Sequence, residues 1–144
     1  MKALVPLADG VEEMEAVIIT DVLRRTGWLV TLAGLKAGPV TASRGVRLLP
    51  DTEWDAIDPA EFDILILPGG AVGTRHLTAH RGVQEAIRQF AASNRWLAAI
   101  CAAPLALMAA GVLGGRRATA HPSVRNQLTD AIVVDERVVE DGRI

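Results

Sequence analysis

The stretch that decides the fold is "FDILILPGG" (residues 62–70), a continuous apolar run that ends in two glycines. Apolar residues in succession, without polar alternation, are typical of a parallel strand that is buried on both faces of its sheet. The runs "ALVPLA" (3–8), "WLVTLAGL" (28–35) and "WLAAI" (96–100) indicate three more strands. The sequence therefore predicts a sheet whose strands are mostly parallel.

Helical patterns lie between these strands. Residues 12–27 have helical periodicity and end in a glycine, as helices commonly do. Further helices are predicted near Val83–Asn94 and from about Ala103 to Ala110. No repeat or linker divides the chain, so we expect one domain over residues 1–144. Strands separated by helices predict an α/β layered fold.

Two hairpins are predicted outside this alternation. "GPVTASRGVRLLPD" (38–51) indicates a hairpin around the "SRG" at 43–45. Near the end of the chain, "AIVVD" (131–135) and "RVVEDGRI" (137–144) predict a closing hairpin, with an Asp-Gly turn inside the second segment.

Composition excludes several classes of function. Half of the residues are hydrophobic and 22% are charged, as in a globular domain. The net charge of −2 and the pI near 5.9 give no basic surface for nucleic acid, and no apolar run reaches the ~20 residues of a membrane span. A single cysteine excludes an internal disulfide and favours a reducing compartment. With an N-terminus unlike a signal peptide, the chain is expected to be cytoplasmic.

Three candidate groups follow predicted strands directly. They are Asp9-Gly10, Gly69-Gly70 and Cys101. In open parallel sheets, ligands bind beyond the carboxyl ends of the strands. We therefore expect these groups to converge on one edge of the sheet and to form the functional site.

Cys101 is the only cysteine and stands where the strand "WLAAI" meets a predicted helix. The positive end of that helix is expected to favour the thiolate over the thiol. The small residues Ala102 and Ala103 would let a substrate approach the sulfur. The alternative is a buried, unreactive cysteine, since free cysteine is among the most buried residue types.

Glu15 is unusual because it falls on the apolar stripe of the first predicted helix, with Ile18 and Val22 at i+3 and i+7. A carboxyl group on a buried stripe is expected to have a raised pKa and, when protonated, can donate a hydrogen bond or a proton. Alternatively, its tip reaches solvent at the edge of the stripe. Asp9, three residues before Glu12, is expected to cap this helix.

The histidines are weaker candidates. His121 follows the predicted strand "RATA" (117–120) and could join the same edge, although a lone histidine is more often structural. "HLTAH" (76–80) spaces two histidines at i and i+4, which could bind a metal, but it lacks the glutamate of the zinc-protease motif and a third ligand. We expect a solvated helix or loop there, and no metal site.

The glycine-rich stretch "LPGGAVG" (67–73) matches neither the dinucleotide-binding pattern nor the phosphate loop. Its backbone N–H groups could point at an oxyanion near the sulfur. A plain turn after a strand is the alternative.

Several motifs, taken in order, resemble the DJ-1/ThiJ/PfpI superfamily, most closely its DJ-1/YajL-like branch. The matching segments span nearly the whole chain: "DGVEEMEAV", "DVLRRTGWLVTLAGL", "SRGVRLLPD", "FDILILPGG", "AAICAAP", "AHP" and "RVVEDGRI". The resemblance implies a flavodoxin-like, three-layer α/β sandwich whose cysteine lies on a strained strand-to-helix elbow. It also implies a homodimer, and a chain that lacks the family's last strand and helix.

The resemblance also implies the roles of individual residues. Cys101 matches the nucleophilic, oxidation-sensitive cysteine, Glu15 the glutamate that hydrogen-bonds it, and His121 the histidine nearby. Gly70 and Ala102 match the backbone donors of the oxyanion pocket, with Gly69 beside them. The positions that match the dimer interface of the family are Arg44, Arg25, Asp21 and Met14.

Two departures distinguish this chain from neighbouring branches. Protease-like members carry histidine directly after the cysteine, where this chain has Ala102. Class I glutamine amidotransferases need a carboxylate after the His-Pro pair, and here Ser123 follows. Proteolysis and amide transfer are therefore disfavoured.

The function that the resemblance implies is cofactor-free chemistry on α-oxoaldehydes such as methylglyoxal and glyoxal, or on their early adducts with proteins. The partners would then be a small aldehyde or a glycated protein. The alternative is a redox-sensing chaperone in which the cysteine is oxidised to a sulfinate.

Overall fold

A parallel sheet of five strands forms the centre of the computed structural model, which describes all 144 residues. In chain order the elements are β1 (Lys2–Leu7), α1 (Glu13–Arg25), β2 (Leu29–Gly34), β3 (Val40–Thr41), β4 (Arg47–Leu48), β5 (Thr52–Glu53), β6 (Ile64–Leu67), α2 (Ala71–Ala79), α3 (Arg81–Ala92), β7 (Trp96–Ala99), α4 (Pro104–Ala109), β8 (Arg117–Ala118) and β9 (Ile132–Val133). The strand order is β5-β2-β1-β6-β7, and every pair in this sheet is parallel. The predicted α/β class is confirmed.

Both faces of the sheet are buried, as the continuous apolar runs predict. In β6, Leu65 and Leu67 belong to a core cluster that includes α3 and α4, whereas Ile66 belongs to a second cluster that includes α1. Successive side chains of a strand point to opposite faces, so β1, β2 and β6 contribute to both clusters. The sheet is therefore the middle of three layers.

Helix α1 begins at a cap other than the expected one. The carboxylate of Glu12 accepts the backbone N–H of Glu15 at 2.7 Å. Asp9 instead accepts the backbone N–H of Thr41 at 2.9 Å and pairs with Lys36. The prediction that Asp9 caps the helix is wrong, because the chain turns away after β1 and brings Asp9 against the hairpin.

The apolar stripe of α1 is only partly buried. The fully buried residues of the helix are Glu13, Ala16 and Thr20. Of the predicted stripe, Ile19 packs against the core cluster on this side of the sheet, whereas Ile18 and Val22 are 58% and 50% exposed. Helical periodicity locates an apolar face but does not say what that face contacts.

The first predicted hairpin is confirmed, and the second is wrong. Strands β3 and β4 pair in antiparallel fashion around residues 43–45. Near the end of the chain, β9 pairs in parallel with β8, and residues 137–144 form no strand. The carboxylate of Asp141 accepts the backbone N–H of Arg117. The carbonyl of Arg143 accepts the backbone N–H of Leu97. These contacts hold the last residues against β7 and β8 rather than against β9.

One strand and the first half of one helix lie outside the predicted elements. Strand β5 is only two residues long, and α2 starts within the glycine-rich stretch that had indicated only a loop. No helix in the structure combines the length and the apolar character needed to cross a membrane.

Candidate active site

The three strand ends named above converge on one edge of the sheet. The backbone N–H of Glu12 donates to the carbonyl of Gly69 at 3.1 Å, and that of Gly73 donates to the carbonyl of Gly10 at 3.1 Å. A Cβ atom added to Gly69 would lie 2.8 Å from the Cβ atom of Cys101. The predicted convergence of the groups that follow β1, β6 and β7 on one edge of the sheet is confirmed.

Cys101 occupies a strained elbow between β7 and α4. Its φ is +60°, a left-handed conformation that residues other than glycine rarely adopt. The backbone N–H of Ile100 donates to the carbonyl of Leu67 at 3.2 Å. The carbonyl of Cys101 accepts the backbone N–H of His121 at 2.9 Å. The surrounding structure therefore holds the elbow from both sides, and strain of this kind is concentrated at functional sites.

Glu15 reaches this elbow from α1. Its Oε2 atom accepts the backbone N–H of Gly69 at 2.7 Å, and its carboxyl group is near enough to the Cys101 thiol to raise the pKa of that thiol. The Glu12 cap fixes the backbone of Glu15 from the other end. Glu15 is partly buried, so the tip points into the site and not into solvent.

The pKa of the Cys101 thiol is raised, whereas the positive end of the following helix was expected to lower it. Burial is the largest cause that raises the pKa of the thiol, and the hydrogen bonding and negative charge of Glu15 raise it further. The backbone N–H groups of Gly70 and Ala102 act in the opposite direction, because they stabilise the thiolate. The net direction is upward, which favours the thiol and is opposite to the lowered pKa that the positive end of a helix predicts.

Two glycines let the chain approach the sulfur closely. A Cβ atom at Gly69 would lie 2.7 Å from Oε2 of Glu15. Gly70 has a φ of +88°, and a Cβ atom there would lie 2.4 Å from the carbonyl oxygen of Gly10. Side chains at either position would block the convergence of the three strand ends.

His121 is held at the elbow by its backbone and not by its ring. The imidazole Nδ1 lies 2.8 Å from the Ser123 hydroxyl and also accepts the backbone N–H of Ser123 at 3.3 Å. The residue is exposed. Ser123, which the sequence analysis treated only as a missing carboxylate, is the group that orients the ring.

The four interface candidates lie on the surface. Arg25 and Asp21 form an exposed ion pair one turn apart, and Met14 is 66% exposed. The backbone N–H of Arg44 donates to Glu13 at 2.8 Å. Glu13 also accepts the Ser43 hydroxyl, which lowers the pKa of its carboxyl group. Sequence patterns gave no sign of this contact, because it joins α1 to a distant loop.

The two histidines of "HLTAH" have different environments. His76 lies in α2, whereas His80 follows the helix, and its Nδ1 accepts the backbone N–H of Val83 at the start of α3. The structure brings together no group of three histidine, cysteine, aspartate or glutamate side chains that could hold a metal ion.

Comparisons with known proteins agree with this architecture. The DJ-1/PfpI family model matches residues 1–144. Protein dj-1beta of Drosophila melanogaster is 43% identical over 145 residues, covering 99% of this chain and 78% of the fly protein. A Pyrococcus abyssi protein named as a deglycase is 35% identical, covering 99% of this chain and 86% of its own length.

Solved structures give the same result. The crystal structure of Drosophila melanogaster DJ-1beta superposes with a TM-score of 0.95 at 42% identity, covering 99% of this chain and 78% of the fly chain. The oxidised form of Toxoplasma gondii DJ-1 superposes with a TM-score of 0.90 at 31% identity, with the same coverage.

Proposed function

The chain belongs to the DJ-1/PfpI family, and on that basis we propose that it is a cofactor-independent cysteine enzyme acting on α-oxoaldehydes or their early protein adducts. The observation that carries the proposal is the strained elbow of Cys101, with a φ of +60°, next to the carboxyl group of Glu15, whose Oε2 atom is held by the Gly69 N–H at 2.7 Å. The backbone N–H groups of Gly70 and Ala102 are near enough to the sulfur to favour its thiolate. A nucleophile, a proton acceptor and an oxyanion pocket are the parts that carbonyl addition requires.

The first step uses the hydrogen bond between Cys101 and Glu15. The sulfur bonds to the aldehyde carbon of methylglyoxal while its proton passes to Glu15. The N–H groups of Gly70 and Ala102 stabilise the oxyanion that forms, and Glu15 then returns the proton to that oxygen. The product is a neutral hemithioacetal, and Glu15 is again a carboxylate.

The second step moves a proton between neighbouring carbons. Glu15 removes the hydrogen on the sulfur-bearing carbon, which gives an enediolate, and then delivers that proton to the adjacent carbon. The hydroxyl proton of the sulfur-bearing carbon passes to the neighbouring oxygen, so that a carbonyl forms next to the sulfur. The result is a lactoyl thioester on Cys101. Water hydrolyses that thioester to lactate and restores the thiol. His121, which is exposed beside the elbow, assists the proton transfers to and from water.

A preformed thiolate is not needed in this scheme. Although Glu15 raises the pKa of Cys101, its carboxylate is the adjacent base that can take the proton as the sulfur attacks, as in other nucleophiles activated by a neighbouring base. The same contact supports a second function, that of a redox sensor. A sulfinate formed on Cys101 would accept the N–H donors of the pocket and the proton of a neutral Glu15.

Lactate formation from methylglyoxal tests the enzyme proposal. The parent protein is expected to form lactate, and Cys101→Ser, which is nearly isosteric, is expected to form none while keeping the circular dichroism of the parent. A preformed adduct of methylglyoxal with N-acetyl-lysine is the second substrate. Adding aminoguanidine, which removes free methylglyoxal, stops lactate formation if the free aldehyde is the substrate and leaves it unchanged if the adduct is.

The opposite result would favour the sensor. A folded parent that forms no lactate, yet gains two oxygen atoms on Cys101 in dilute peroxide, would contradict the enzyme proposal. Mass spectrometry of the peptide that contains Cys101 measures that gain.

The family resemblance and the exposed face of α1 also support a homodimer. Met14, Val17, Ile18 and Val22 are each at least half exposed, which leaves an apolar surface on one side of the helix. Apolar patches of this kind on folded domains commonly mark protein interfaces.

A further inference from the structure

A cavity separate from the Cys101 site opens at the same edge of the sheet. It has a volume of about 510 Å³ and lies between the ends of β1 and β2 and the second half of α2. None of its lining residues is Cys101, Glu15, Gly69, Gly70 or Ala102. The cavity therefore needs an explanation of its own.

Most of the polar groups that line this cavity are basic. They are Lys36, Arg75, His76 and His80, and Asp9 is the one carboxylate among them. Asp9 already pairs with Lys36 and accepts the backbone N–H of Thr41. The guanidinium of Arg75 forms no salt bridge or hydrogen bond within the chain, so its five donors remain available.

The tautomer of His80 can be derived from its contacts. Its Nδ1 atom accepts the backbone N–H of Val83 at 3.3 Å, so the proton of the neutral ring is on Nε2. The ring also packs edge-on against Trp54, with 6.0 Å between the ring centroids. His80 is therefore a fixed donor in the wall of the cavity.

The helix ends do not oppose a negative ligand. Helix α2 ends at Ala79 with its partial negative charge, and α3 begins at Arg81 with its partial positive charge. Because these two ends meet at His80, their fields largely cancel. The side-chain charges decide the preference of the cavity, and they favour an anion.

We propose that this cavity binds the phosphate group of a small molecule, either a phosphate monoester or free phosphate. The planar fork of Arg75 matches two oxygens of a phosphate, and the pairing of Lys36 with Asp9 offsets the one negative charge in the wall, so the guanidinium leaves the cavity with a net positive charge. The imidazoles of His76 and His80 supply donors for the remaining oxygens. A carboxylate has only two oxygens and one charge, so it uses fewer of these groups.

An NMR titration tests this site in the full chain at low ionic strength. Inorganic phosphate and glycerol 3-phosphate are added in separate titrations, with sodium acetate as a third. Saturable shifts are expected for the backbone amides of Arg75, His76 and Ala79. Tighter binding of glycerol 3-phosphate would identify a phosphate monoester as the ligand, and tighter binding of inorganic phosphate would identify the free anion.

Matched variants locate the binding. Arg75→Gln is expected to weaken the affinity about tenfold, since a charged hydrogen-bonded pair is lost. Arg88→Gln, which removes another exposed arginine without lining the cavity, is expected to change nothing. Both positions are exposed, so neither variant should affect folding.

Three results would overturn the proposal. They are the absence of saturable shifts, equal weakening by Arg75→Gln and Arg88→Gln, and shifts confined to Gly70 and Ala102. Acetate that binds as tightly as phosphate would also contradict it. None of these results depends on whether Cys101 is an enzyme nucleophile.

Discussion

Replacing Gly69 with alanine places one methyl group between Glu15 and Cys101, where the site is tightly packed. An added Cβ atom would lie 2.7 Å from Oε2 of Glu15, 2.8 Å from the Cβ atom of Cys101 and 2.9 Å from the carbonyl oxygen of Ile100. Two of these three atoms belong to the backbone or to the start of a side chain, so they cannot rotate away.

The size of the effect follows from these distances. The three atoms would have to recede by about 0.5 to 0.7 Å to reach ordinary contact at 3.4 Å. Overpacking of this kind costs about 1–3 kcal/mol in the free energy of unfolding, or roughly 3 to 10 °C in Tm. Misplacing a base and its nucleophile by that distance should lower the rate of lactate formation by about 10- to 100-fold.

Two assays on each variant measure these effects. Differential scanning calorimetry gives Tm, and lactate formation from methylglyoxal gives the rate. Gly114→Ala is the matched control, because no atom lies within 4 Å of an added Cβ atom and its backbone is not left-handed. A Gly69→Ala variant with the Tm and the rate of the parent would refute the close packing of Glu15 and Cys101 on Gly69.

Three further predictions test other parts of the molecule. Glu15→Gln removes a negative charge that raises the pKa of Cys101, so alkylation by iodoacetamide at neutral pH should become faster while turnover is lost; a slower alkylation would mean that Glu15 stabilises the thiolate. The pKa of Glu13 is lowered from 4.5 by the Ser43 hydroxyl, so its contribution to stability is present above that value and is lost as the pH falls. Urea unfolding of Glu13→Gln should therefore show a deficit at pH 7 that narrows in acid, and a deficit independent of pH would contradict the hydrogen bond. Ile18→Glu should convert a dimer to a monomer in sedimentation velocity without changing the circular dichroism, since Ile18 is 58% exposed within one chain; a dimer that persists would place the interface elsewhere.

Much of the site was predictable from local signals. The run at 62–70 predicts β6 as a buried strand, and the two glycines at the end of the run indicate a close backbone approach. Cys101 at the start of a helix indicates an elbow, and the structure has one, with a φ of +60°. These signals are local because periodicity and glycine placement act over a few residues.

Other features depended on contacts between distant segments. Helix α1 could turn either face to the sheet, and it buries Glu13 because the hairpin supplies the Ser43 hydroxyl and the Arg44 N–H. The end of the chain could have folded on itself, but Asp141 bonds to Arg117 instead. Neither partner can be identified from a periodic pattern.

The sequence alone determined the strand-helix alternation, the edge of the sheet at which the strand ends converge and the position of Cys101 at a strand-to-helix elbow, because each depends on neighbouring residues. Only the tertiary structure decided the direction in which the pKa of Cys101 is shifted. Burial and the carboxyl group of Glu15 raise the pKa of Cys101, while the N–H groups of Gly70 and Ala102 lower it. The balance is set by which groups surround the sulfur in space, and two of them, Glu15 and Gly70, come from segments far from Cys101 in the chain.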